Sequence, residues 1–315
     1  MCLKIWETQE CCNVHGTVEE LQTDGYVTEE NDKVPEITIE EARMEILLIL
    51  QKIREGENCF RFKENFLNPE RLEKLKTITK SLRIKVQNSN VIPKGTIIDI
   101  TPLGLTLTKR KTQDGVVYFA NKRKTFPKRD VTADFVIPTI TIPETREPHF
   151  LIYYSLDTDK FVLRDLGVGN GTFIKVEETY MISDNTLINV GESYILMTIF
   201  KKNTNDSLPT LCMKVYSGTR IGEVMYFYAQ ECYVKEVYIG RGKDCQVQID
   251  DTMISNHQAT VFFSSQKGWM LVDGDLSTQR PSTNGTWICA CQDYEFTGTI
   301  DFKACSTLFR ATIIN

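Results

Sequence analysis

The chain has 315 residues, a formal net charge of −5, 41% hydrophobic residues and 25% charged ones. This length accommodates two domains, the composition excludes wholesale disorder, and the mild charge neither requires nor forbids a nucleic-acid partner. No run approaches the roughly 18 apolar residues of a membrane-spanning helix. The opening MCLKIWETQECC lacks the basic start and apolar core of a signal peptide, so an intracellular protein of nucleus or cytoplasm is expected.

In chain order, residues 1–36 are acidic and without apolar periodicity, which predicts a flexible tail. Twelve acids lie between Glu7 and Glu45 against Lys33 and Arg43. A helical hairpin is expected over 37–80. Its first helix is marked by Thr38 and Glu41 at capping-box spacing and ends at Gly56, and its second opens at Asn68-Pro69 with Leu72, Leu75, Ile78 and Leu82 near helical spacing.

From Leu82 the texture changes to short β-rich runs such as LRIKV, TIIDI, VVYFA, HFLIYY and KFVLRDL, separated by Gly, Pro, Asn and Asp. Such spacing predicts a sandwich or barrel over 81–201. After a polar linker at 202–208 a second series follows over 209–315, with VMYFYA, EVYIG, ATVFF, GWMLVD and GTWICA. The two series read as diverged copies: HFLIYYS, KFVLRDL and GNGTFI align with QATVFFS, WMLVDG and TNGTWI, so that His149 corresponds to Gln258 and Asn170 to Asn284. The expected fold is therefore mostly β, two tandem sandwiches preceded by a short helical segment.

The second series holds, in order, Gly240-Arg241, then Ser255-Asn256 ahead of an apolar run, then Ser282 to Trp287 reading STNGTW. Singly, these are a surface cation, loop polar groups and a tight-turn signal. Together and in order, residues 209–315 resemble the forkhead-associated (FHA) domain, whose pattern is G-R, then D-x-x-[VI]-S-[RN]-x-H-A, then N-G-T. One position departs, because Gln258 stands where the family has its buried histidine, while His257 takes the variable slot. Strand alternation should turn His257 outward and Gln258 inward.

The resemblance implies a β-sandwich whose loops bind phosphothreonine in a partner protein. It assigns the guanidinium of Arg241, the hydroxyl of Ser255 and contacts from Asn256 and Thr283 to the phosphate, and gives Asn284 the peptide backbone. A phosphothreonine carries about −1.5 to −2 charges and three acceptor oxygens, which asks for a cation and clustered neutral donors. Gly240, Gln258, Gly285 and Thr286 would hold the loops. Met253 falls where family members read the third residue after the phosphothreonine, and its uncharged thioether points to an aliphatic preference there.

The first series resembles the same family less closely. Lys109 stands beside Arg110 in place of glycine, Arg146 and Glu147 replace the serine and its neighbour, and Gly169 precedes Asn170. A carboxylate near a phosphate is repulsive, so Glu147 argues against ordinary phosphothreonine binding there. The interval Lys109 to Arg129 holds eight basic residues against Asp114 and is the only candidate for contact with nucleic acid.

No kinase, P-loop or H-E-x-x-H signature occurs, so no enzyme is expected. The ten cysteines contain no C-x-x-C pair, and neither a metal nor a cofactor is expected. The reading is a non-enzymatic adaptor for a threonine-phosphorylated protein, with no membrane contact. The alternative is a phosphate-independent interaction scaffold that uses both sandwiches.

Overall fold

The structure, a computed structural model, describes the strand at 26–27 and residues 66, 68–106, 114–121, 133–138, 148–166, 171–200, 208–216, 220–229 and 236–315. The expected helix ending at Gly56 and the candidate positions Lys109, Arg110, Arg146, Glu147, Gly169 and Asn170 lie outside the described residues. Among the described residues no helix is long and apolar enough to cross a membrane.

Helix α1 spans Pro69–Lys76. Asn68 caps it by accepting the Glu70 N–H at 2.9 Å, and proline opens it, where a missing N–H costs nothing. The helix is shorter than its apolar spacing suggests. Thr77 closes it, and Leu82 belongs to a strand in which buried and exposed residues alternate. Leu75 enters the core, and the Arg71 guanidinium donates to the carbonyls of Phe66, Asp114 and Tyr154, which pins the helix to the sheet behind it.

The strands in chain order are β1 (Tyr26–Val27), β2 (Ser81–Asn88), β3 (Ile97–Thr101), β4 (Gly104–Leu105), β5 (Val116–Ala120), β6 (Phe135–Val136), β7 (Pro148–Ser155), β8 (Lys160–Asp165), β9 (Thr172–Lys175), β10 (Tyr180–Met181) and β11 (Thr186–Val190). Then come β12 (Ser193–Phe200), β13 (Thr210–Val215), β14 (Val224–Tyr228), β15 (Val237–Gly240), β16 (Val247–Gln248), β17 (Ala259–Ser264), β18 (Gly268–Asp273), β19 (Trp287–Cys289), β20 (Tyr294–Glu295), β21 (Thr299–Ala304) and β22 (Thr307–Ile314). The chain is mostly β, as its sequence texture predicts.

A 12-stranded sheet runs β1-β14-β13-β12-β11-β19-β9-β21-β22-β2-β3-β4, and two five-stranded sheets run β10-β18-β17-β15-β16 and β20-β8-β7-β5-β6. Each small sheet shares a core with part of the large one. The first core takes Leu82, Phe119, Phe150 and Phe161 from the first half of the chain and Phe296, Phe302 and Phe309 from its far end. The second runs from Val176 to Ile288, and includes Ile188, Val190, Ile195 and Met197 from the first series.

Strand pairing therefore crosses the interval 202–208. The hairpin β11–β12, which ends the first series, completes the second core, and β21–β22, which ends the second series, completes the first. One packed unit is nested within the other. Residues 176–288 supply the inner core, and the segments before and after them supply the outer one.

The junction between the units is β9 against β19, antiparallel, with Ile174 opposite Ile288. Each of these isoleucines lies four residues after the asparagine of its own Asn-Gly-Thr turn, so equivalent residues meet on a local two-fold axis, the self-complementary arrangement of an isologous contact. Lys303 crosses this axis. Its ammonium donates to Asn189 Oδ1 and sits 4.7 Å over the Trp287 ring, and burial pulls its pKa down to about 8.

A fragment of residues 209–315 lacks Ile188, Val190, Ile195 and Met197. At about 1.5–3 kcal/mol for each buried side chain, that loss is comparable with the whole stability of a domain, about 5–15 kcal/mol. The fragment is expected to show no cooperative thermal transition by circular dichroism, whereas residues 171–292 melt cooperatively. Cooperative melting of 209–315 would show that the exchanged hairpin is dispensable.

Candidate functional site

Three loops meet at one end of the inner unit. The first follows β15 and begins with Gly240-Arg241. A Cβ on Gly240 would stand 2.0 Å from the carbonyl oxygen of Asn256, so only glycine lets the loop through Ser255 and Asn256 approach this closely. The approach is held by backbone bonds, Arg241 N–H to the Ser255 carbonyl at 3.1 Å and Gly242 N–H to the Asn256 carbonyl at 3.0 Å. The exposed Arg241 side chain makes no hydrogen bond or ion pair among the described residues.

The third loop joins β18 to β19. Ser255 Oγ accepts the Thr283 N–H at 3.0 Å and donates to Thr283 Oγ1 at 3.3 Å, so a hydroxyl and a hydroxyl-bearing turn face each other. Next to them, the Asn284 side-chain amide donates to the Met253 carbonyl at 2.7 Å. Gly285 adopts φ +77°, the left-handed conformation that favours glycine in an Asn-Gly turn. Trp287 Nε1–H closes the turn on the Asn284 carbonyl at 3.1 Å. Arg241, Asn256, Thr283, Asn284 and Met253 are all exposed, and Met253 retains 58% of its accessible surface.

Gln258 is completely buried and ties the loops together. Its carbonyl oxygen Oε1 accepts the Ser255 N–H at 3.0 Å, and its amide donates to Ser282 Oγ at 2.8 Å and to the Gly285 carbonyl at 2.9 Å. Thr286 Oγ1–H donates back to the Gln258 backbone carbonyl at 3.0 Å. An amide offers both a donor and an acceptor. The departure from the family's histidine thus leaves the loops connected. Ser282 is held in turn by Asp273, which accepts both its O–H and its N–H.

His257 faces away from this hub, as strand alternation predicts, and has a role that spacing alone did not reveal. Its ring stacks on Tyr238 with centroids 4.4 Å apart, and its two nitrogens lie against Asp244 Oδ2 at 2.7 Å and Asp275 Oδ2 at 3.1 Å. Both nitrogens can donate only when the ring is protonated. Burial works against that charge, but the Asp275 and Asp244 carboxylates outweigh it and raise the His257 pKa. The imidazolium clasps the loop after β15 to the loop after β18. Asp244, Cys245 and His257 also bring donor atoms within 4.8 Å of one another, the kind of set that can hold a metal ion.

The first series supports these loops directly. The N–H of Glu192, in the β11–β12 turn, donates to Asp251 Oδ2 at 3.2 Å, while Asp251 Oδ1 accepts the Met253 N–H at 2.8 Å. Val176 N–H bonds the Thr286 carbonyl at 2.8 Å, and the Lys175 stem lies beneath Gly285. The residue equivalent to Gln258 behaves differently. His149 is buried, burial lowers its pKa, and its Nδ1 lies 3.1 Å from Cys305 Sγ in the β21–β22 turn. Its Nε2 and the hydroxyl of Thr172 have no hydrogen-bond partner among the described residues.

The inner unit is a β-sandwich with three hydrogen-bonded loops at its tip, one led by Gly-Arg and one by Asn-Gly-Thr. Residues 237–292 match the family model of the FHA domain, and the C-terminal region of the chain carries that domain. Domains of this family are in general non-catalytic protein-interaction modules that bind phosphorylated partners. Neither the curated proteins nor the solved structures compared with the chain include a match.

Gly240→Ala is expected to destabilise the protein by about 2–4 kcal/mol, because backbone must move to admit the methyl group; an unchanged melting temperature would show that the loop yields freely. Gln258→Leu keeps similar bulk but strips partners from the Ser255 N–H and the Gly285 carbonyl. At about 1–3 kcal/mol for each unsatisfied group, it should lower the denaturation midpoint and broaden the amide signals of residues 253–257 and 282–286. For His257 the folded pKa is raised, so its stabilising effect is full below the unfolded value of about 6.5 and is lost as pH rises through the folded value. The stability gap between wild type and His257→Gln should accordingly be wider near pH ~6 than near pH ~9. A gap independent of pH would mean that the ring acts only by packing on Tyr238.

Proposed function

We propose that the chain is a non-enzymatic adaptor that recruits a threonine-phosphorylated protein through the loop cluster of its inner unit. The observation that carries this reading is the exposed Arg241 guanidinium, unpaired among the described residues, whose backbone is bonded to that of Ser255, the residue whose hydroxyl meets Thr283. A phosphate arriving at this tip finds a cation and at least one hydroxyl that can turn to donate, in a frame already held by Gln258. Charge-assisted hydrogen bonds of this kind are about twice as strong as neutral ones.

In this reading Arg241 and Ser255 hold the phosphate, with Asn256 and Thr283 adding contacts. Asn284 exchanges its bond to the Met253 carbonyl for the ligand backbone. The exposed Met253 thioether meets an aliphatic side chain of the ligand. Selectivity for threonine over serine would come from its methyl group, worth about 1–3 kcal/mol in a fitted pocket.

The test is fluorescence anisotropy with matched phosphothreonine, phosphoserine and unmodified peptides from a degenerate library. Wild-type protein should bind the phosphothreonine pool most tightly. Arg241→Ala should cost about 1.5–3 kcal/mol or more for loss of hydrogen bonds to a charged group, while leaving the melting temperature unchanged. Equal binding of phosphorylated and unmodified peptides would instead favour the phosphate-independent scaffold.

A further inference from the structure

The nested fold places a cation from the outer unit at the binding tip of the inner one. In the register of β9 against β19, Lys175 lies opposite Trp287, at the end of the sheet where the Asn284-Gly285 turn begins. Its Cε is 2.9 Å, and its Cδ and Cγ are 3.5 Å, from the point a Gly285 Cβ would occupy. A carbon–nitrogen bond adds only about 1.5 Å, so the ammonium lies within about 4.5 Å of that point. It makes no hydrogen bond or ion pair among the described residues.

The charges around the tip are unevenly engaged. Asp273 is occupied by Ser282, Asp275 by Ser277 and His257, and Asp244 by His257. Asp251 accepts two backbone N–H groups. Arg241, Lys243 and Lys175, by contrast, have no partner among the described residues. The side chains of Asp250 and Glu192 are also exposed and, among the described residues, unpaired, but Glu192 belongs to the β11–β12 turn, and β11 and β9 flank β19 on opposite sides. An anionic group arriving on the β9 side therefore meets Lys175 without a competing carboxylate from that turn; the exposed Glu177 and Glu178, two and three residues further on, lie near Tyr294.

We propose that Lys175 is a specificity-determining residue of the phosphopeptide site: it reads an acidic side chain of the ligand next to the segment that Asn284 grips. The partner is thus a phosphothreonine segment with an acidic neighbour. This rests on the phosphothreonine reading of the tip and adds to it a contact supplied by the other half of the chain.

The test uses the full chain and phosphothreonine peptides that carry either neutral flanks or a single glutamate moved through each flanking position. At low salt, one position should show glutamate tightening wild-type binding by about 2- to 5-fold, the size of an exposed ion pair, and added salt should erase the gain. Lys175→Gln should abolish that preference, weakening the acidic peptide more than the one with neutral flanks and leaving the melting temperature unchanged, and Lys175→Arg should retain it.

A preference that survives in Lys175→Gln overturns the proposal. Equal weakening of acidic and neutral peptides also overturns it, since that is the mark of a stem that merely supports Gly285. Arg241→Ala separates the two levels, because it should remove phosphate-dependent binding of every peptide. A wild-type protein that binds no phosphothreonine peptide overturns the reading of the site, and this inference with it.

Discussion

The antiparallel pairing of β9 with β19 is the contact on which the rest of the architecture turns. It joins two sets of strands into a single 12-stranded sheet and places Ile174 against Ile288 on a local two-fold axis. The axis sets the Asn284-Gly285 turn of the inner unit beside β9, a strand of the outer one. The hairpins that follow β9 and β19 then continue on the far side of the axis, where β11–β12 closes the inner core and β21–β22 the outer one. Burial of Ile188, Val190, Ile195 and Met197 in one unit, and of Phe302 and Phe309 in the other, makes the exchange energetically decisive.

The tip of the inner unit rests on that frame through polar contacts. Gly240 permits the close approach of two loops, Gln258 satisfies the buried groups between them, and His257 joins their outer edges through two carboxylates. The acids here serve mainly to position donors and the imidazolium, which leaves Arg241 uncompensated. A satisfied buried network rigidifies the groups it holds. The corresponding place in the outer unit, with His149 against Cys305 and the Thr172 hydroxyl unpartnered among the described residues, shows how differently the same topology can be filled.

Much of this was legible in the sequence, because local signals carry local structure. The alternation in LRIKV, the Asn68-Pro69 helix start, the Asn284-Gly285 turn and the inward placement of Gln258 follow from periodicity and turn chemistry. The Gly-Arg, Ser-Asn and Asn-Gly-Thr sequence pointed to the FHA family and to loops that the structure brings together. The end of α1 at Lys76 is less legible, because Leu82 satisfies both helical spacing and the alternation of a strand. The partner of each terminal hairpin was not legible at all: β10–β12 and β20–β22 are similar elements, and only packing against distant residues decides which core each one closes. The role of His257 is not legible for a related reason, since it depends on Asp244 and Asp275, which are remote in sequence and adjacent only in the folded tip.

The nesting also sets an order in which the molecule can be completed as it leaves the ribosome. The inner core has all its strands once Ile288 has emerged, whereas the outer core, begun near Leu75, must wait with its apolar face open until Phe296, Phe302 and Phe309 arrive. Premature termination near the end of the chain would therefore damage the half made first and spare the half made later. Exposed strands held open for that long are prone to pair with the wrong neighbour, so the early half of this protein is the one most in need of a chaperone.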